Sequence, residues 1–137
     1  MTDITVTTKQ SQVEKRSWLL GPHGTEPGAT PSCTLDIAKF TAGTHYPNGY
    51  IPSGIVLGEV TATGLMGPYN PDGTDGTETA VGHLFSSVTV NPGSTKVGGA
   101  YLVHGFVRRS KLPIASGTDG GLDTAAEADL KHVIYSA

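Results

Sequence analysis

The sequence predicts a mainly β domain, dense with turns, with one short helix near the C-terminus. Three observations lead there. Nineteen glycines and nine prolines among 137 residues break the chain into short segments. Thr and Val abound in those segments, and apolar residues partly alternate, the period that buries one face of a strand. A convincing helical run, DTAAEADLKH, appears near the end of the chain. The length suits a single domain with a core of its own.

Residues 1–20, MTDITVTTKQSQVEKRSWLL, contain no Gly and no Pro. Ile4 and Val6 alternate with Thr and Asp, and an apolar knot of Trp18, Leu19 and Leu20 closes the stretch. The Gly/Pro-rich connector GPHGTEPGATPS follows. This reads as an extended N-terminal arm, residues 1–20, tethered to a β-rich domain, residues 21–137. A first body strand joined by a long loop fits the same pattern. CTLDIAKF (33–40) alternates partly, and Asn48-Gly49 is a hairpin signal. IVLGEVTAT (55–63) and AVGHLFSSVTV (80–90) read as strands, the second more strongly. Asn91-Pro92-Gly93 turns the chain into VGGAYLVHGFVRR (97–109), where Gly98 and Gly99 are candidates for a bulge. In the helix, Thr124 and Glu127 have capping-box spacing, each side chain reaching a free backbone donor. VIYSA then closes as a last strand.

Composition narrows the function. The net charge is −3, and Lys and Arg are scattered apart from Lys15-Arg16 and Arg108-Arg109. A nucleic-acid footprint needs a clustered basic face. The longest apolar runs fall short of the ~20 residues that span a membrane. The N-terminus lacks the basic-then-apolar pattern of a signal peptide. One cysteine, Cys33, makes no internal disulfide, and a cytosolic origin is the simplest reading.

The stretch YNPDGTDGTETAVGHL (69–84) is the best candidate for chemistry, because Asn70, Asp72, Asp75 and Glu78 crowd between glycines. An EF-hand loop needs a Glu at its twelfth position. Counting from Asn70 puts Val81 there, and counting from Asp72 puts His83 there. A sharp turn feeding a strand explains the composition better, since Asp-Gly pairs supply turn conformations. A non-EF calcium site from Asp72, Asp75 and Glu78 is the competing reading. His23, His45, His83, His104 and His132 are not spaced as metal pairs, and His83 and His104 read as strand residues. No G-x-S-x-G elbow and no Walker loop is present. Scattered acids such as Asp36, Glu59, Asp119 and Asp123 make only a weak glycosidase case. The expectation is no enzyme, no cofactor and no metal.

The order of segments resembles the head decoration proteins of tailed phages, the lambda D-like family. The likeness is carried by IPSGIVLGEVTATGL (51–65), DGTDGTETAVGHLFSSV (72–88) and HGFVRRSKLP (104–113), the last followed by a short helix and a final strand. The resemblance implies a β-clip-like bent ribbon closing into a partial barrel, preceded by the arm. It implies a homotrimer that cements the outer surface of an expanded capsid at three-fold and quasi-three-fold positions, made in the host cytoplasm. The partner would be the major capsid protein, with no nucleic acid or membrane involved. The capsid-binding arm would use Thr2, Ile4, Val6, Trp18, Leu19 and Leu20, adding a strand to an exposed edge. The competing function is a β-sandwich binding module of a phage fibre or a carbohydrate-binding protein, with Tyr46, Tyr50 and Tyr69 as sugar platforms.

Overall fold

Short strands leave many unpaired edges, and closing a sheet on itself removes them. The computed structural model of the protein describes residues 16–136. In chain order the strands are β1 (Ser32–Asp36), β2 (Tyr50–Ile51), β3 (Val56–Glu59), β4 (Met66–Pro68), β5 (Ala80–Leu84), β6 (Val88–Thr89), β7 (Lys96–Leu102), β8 (Gly105–Arg108) and β9 (Val133–Ser136). Two short helices are α1 (Ala42–His45) and α2 (Thr124–Asp129). β1, β4, β3, β5 and β7 close into a barrel in that order. Its pairs are antiparallel, except that β1 and β4 meet in parallel at Leu35 and Met66. β2 pairs with β6, and β8 runs parallel to β9.

Alternation along the barrel strands creates two cores, one on each face. On β3, Leu57 points into the barrel with Leu35, Ile51, Ile55, Met66 and Leu84. Its neighbour Val56 points out, to a second core with Trp18, Tyr69, Leu102, Val107, Leu130 and Val133. α2 and the β8–β9 pair cover that outer face, with Ala126, Leu130 and Val133 buried against it.

The mainly β reading with one helix near the C-terminus holds, and several local details differ. Gly98 and Gly99 pair in unbroken register with Thr34 and Cys33. The register shift falls between Leu57 and Gly58 instead. A Cβ at Gly58 would lie 2.7 Å from the Thr77 backbone, so the loop before β5 crowds this point of β3. Asn48-Gly49 does make a turn, with Gly49 at φ +84°. It is no hairpin, because β2 pairs with β6 nearly forty residues on. The helix cap is Asp123 rather than Thr124: its Oδ1 accepts from Ala126 N at 2.8 Å. Asp and Thr are both good caps, and Asp123 also binds the buried Tyr69 hydroxyl at 3.0 Å, which fixes the choice. Glu127 is drawn to Arg109. His104 lies in the bend between β7 and β8, outside both strands.

Candidate functional site

The Asn70–Glu78 stretch is a turn whose polar groups hold its own backbone. Asn70 Oδ1 accepts from Asp72 N at 3.0 Å, and Glu78 Oε2 accepts from Gly76 N at 2.8 Å. Asp75 Oδ1 accepts from both the hydroxyl and the amide of Thr77, at 2.6 and 3.2 Å. Its Oδ2 meets Lys39 Nζ at 3.1 Å. The Thr77 bonds, then Lys39, hold the Asp75 carboxyl below the usual carboxylate range. Gly76 sits at φ +112°, where a Cβ would strike Glu59 O at 2.4 Å. The Asp75 and Glu78 carboxylates are therefore spent on turn geometry, Asp72 is exposed, and the loop delivers Ala80 into β5. Among the described residues no three His, Cys, Asp or Glu side chains are grouped to hold a metal.

Each of the two buried histidines bridges distant segments through both ring nitrogens. Thr41 N donates to His45 Nδ1 at 2.8 Å, so His45 Nε2 carries the proton and donates to Asp119 O at 2.8 Å. His83 Nδ1 donates to Gly54 O at 2.9 Å, leaving Nε2 to accept from the Tyr135 hydroxyl at 2.7 Å. His83 is fully buried, and desolvation lowers its pKa to about 4 against the opposing bond to Gly54. Burial raises the Tyr135 phenol well above its ordinary value.

Trp18 completes this group. Its ring stacks on His83 with centroids 5.5 Å apart, and Nε1 donates to Ser53 Oγ at 3.1 Å. Ser53 Oγ in turn donates to Phe85 O at 2.7 Å. Gly54 adopts φ +100°, and a Cβ there would press on the Trp18 ring at 2.9 Å. The start of the described chain and its last strand thus meet at one side chain of β5. Arg16 lies over the Phe85 ring at 4.2 Å, and its Nε donates to Phe85 O at 3.1 Å.

The six residues expected on the arm fall into two groups. Thr2, Ile4 and Val6 lie outside the described residues. Trp18 is 1% exposed within the second core, Leu19 bridges Val107 of β8, and Leu20 N donates to Phe106 O at 3.1 Å. Residues 18–20 thus form a third strand-like edge beside β8. The aromatic platforms do not assemble either. Tyr69 is buried, with its phenol pushed up to about 12 by burial and by Asp123. Tyr46 packs against the barrel core, and Tyr50 is half-buried on β2. The barrel also differs from the sandwich that reading assumed.

An open groove of about 590 Å³ runs between the 109–116 segment and α2, lined by Arg109, Leu112, Ile114, Leu122, Asp123 and Glu127. Its charged walls are committed, Arg109 to Glu127 and Asp123 to the helix cap. Nothing there joins a nucleophile to a base. The leading segment, residues 16–20, is pinned to the body.

The family model described as Bacteriophage lambda head decoration protein D matches residues 30–134, from just before β1 into β9. No curated protein matches the chain.

Proposed function

The chain belongs to the bacteriophage lambda head decoration protein D family, and from that premise we propose that it binds as a homotrimer to three-fold and quasi-three-fold positions of an expanded phage head and stabilises the shell. Head decoration makes it a virion structural protein that sits on the capsid. The observation that carries the reading is the family match over residues 30–134, which takes in every barrel strand. The committed polar groups of the 70–78 loop fit a scaffold role without catalysis.

Attachment in this reading belongs to an arm of residues 1–15, with Thr2, Ile4 and Val6 as contacts to the major capsid protein. Trp18 is then the rivet that ties the arm to the body, and its burial supports that role. An alternating segment such as 2–8 suits addition of a strand to an exposed edge, where main-chain bonds supply affinity. Three arms on one trimer would bind as a linked set, which raises apparent affinity by orders of magnitude.

Electron microscopy of expanded heads with and without added protein tests the proposal. Threefold-symmetric density at the three-fold and quasi-three-fold positions, with heads more resistant to heat, is the expected result. Bare heads at saturating protein would overturn it.

A further inference from the structure

The large apolar side chains exposed among the described residues are Leu20, Phe106 and Ile134, at 42, 39 and 62%. They come from three separate parts of the sequence and lie side by side. Phe106 and Ile134 are register partners across β8 and β9. Leu20 hydrogen-bonds to Phe106 from the other side. His23 packs its ring 5.6 Å from Phe106, and His104 lies 5.1 Å from His23. The inward side chains of the same small sheet, Val107 and Val133, are buried, so its two faces are both apolar at their centres. A scattered exposed Leu needs no explanation, whereas an aligned row marks a contact surface.

Charge and chain path say what covers it. Apart from Lys39 and Lys96, every Lys and Arg of the chain lies in the leading segment or within a few residues of β8 and β9. Arg108 on β8, and Lys111 and Lys131 within three residues of β8 and β9 in sequence, are exposed. The acids nearby are used internally: Glu127 pairs with Arg109, Asp123 caps α2, and Asp129 accepts from Ala80 N at 3.0 Å. The face is therefore apolar with a basic rim, in a chain whose net charge is −3. The undescribed residues 1–15 join at Arg16, immediately ahead of the edge that carries Leu20. The leading segment therefore leaves the described body beside this sheet.

We propose that the β8–β9 face, through Leu20, Phe106 and Ile134, is a second capsid contact, seated on an apolar, acid-rimmed surface of the shell beside the site taken by the arm. This rests on the decoration reading above. The body then contributes contacts independent of the arm, and the small sheet sets how the barrel sits on the shell.

The test compares wild type, Phe106→Asp/Ile134→Asp, Ile134→Asp alone and Arg108→Glu on expanded heads that lack this protein. Trp18 emission and melting temperature report folding, and sedimentation reports oligomeric state. Each replaced side chain is exposed, and Ile134→Asp disturbs least, so it carries the test if the double variant fails to fold. The expected result is unchanged fold and oligomeric state, with affinity for heads at least tenfold weaker for the double variant and measurably weaker for each single one. Variants that decorate heads as well as wild type overturn the inference and leave the decoration reading intact. Variants that lose self-association instead assign the face to contacts between copies, which also overturns it. Wild type that fails to bind heads removes both.

Discussion

The barrel interior and the second core are built differently, although they share the strands between them. The interior is apolar throughout: Leu35, Ile37, Phe40, Ile51, Ile55, Leu57, Met66, Leu84 and Val88. Its members lie in 35–88, so nearby parts of the chain make it. The second core draws on Trp18, the barrel's outer face, α2 and β9, which spans almost all the described sequence. It also encloses hydrogen-bonded polar groups, Ser53 and His83, with the Tyr135 hydroxyl reaching in. Fully satisfied buried polar groups rigidify and specify a core, but their bonds cannot be broken cheaply. The barrel thus supplies a generic scaffold, while the second core holds Trp18 and β9 against it.

The largest effect should come from the rivet. Trp18→Ala removes a fully buried ring and its stacking on His83, and should cost about 3–5 kcal/mol in urea unfolding. Leu57→Ala, in the barrel, should cost about 2–5 kcal/mol. A Trp18→Ala loss below about 1 kcal/mol would mean the ring is not core and the contrast between the regions is false.

Acid should separate the regions next. His83 ordinarily titrates near 6.5 and sits at about 4 in the fold. Between those values the unfolded chain holds a proton that the folded chain does not. Stability is therefore full above about pH 6.5 and falls as pH drops toward 4, by on the order of 3 kcal/mol. The one tryptophan lies on His83, so its emission reports the event directly. His83→Gln keeps a donor for Gly54 and an acceptor for Tyr135, and should flatten this window. The Asp75 contribution is lost only as pH falls below the ordinary carboxylate value, so it leaves the window clear. An unchanged pH profile in His83→Gln would place the sensitivity elsewhere.

Smaller effects sharpen local assignments. Asp123→Ala should lose about 0.5–2 kcal/mol as a helix cap, while Thr124→Ala should lose almost nothing. The reverse order would restore the cap to Thr124. Chelation should leave the melting temperature within error. A metal held by the 70–78 loop at a hundredfold excess over Kd would add about 2.7 kcal/mol, which EDTA would remove.

Much of the barrel was legible in the sequence because its signals are local. AVGHL opens the segment that reads most strongly as a strand and is β5, Asn91-Pro92-Gly93 is the turn before β7, and the Asp/Gly loop is a turn feeding a strand. What was not legible depends on distant partners. Trp18 stands in a three-residue apolar knot with no periodicity, and its partners Ser53 and His83 are 35 and 65 residues away. Nothing near Asn48-Gly49 announces that β2 belongs with β6. The row of Leu20, Phe106 and Ile134 exists only once three segments are folded together. For Gly98 and Gly99 the local signal misleads: two glycines in a strand permit a bulge, but β1 pairs straight across them.

If the body folds on its own core and residues 1–15 attach it to the head, deleting residues 2–15, which keeps Arg16 and Trp18, separates the two roles. The melting temperature should stay nearly unchanged, while occupancy on expanded heads, counted by electron microscopy, should collapse. A truncated protein that unfolds, or one that decorates heads at wild-type occupancy, would contradict the account.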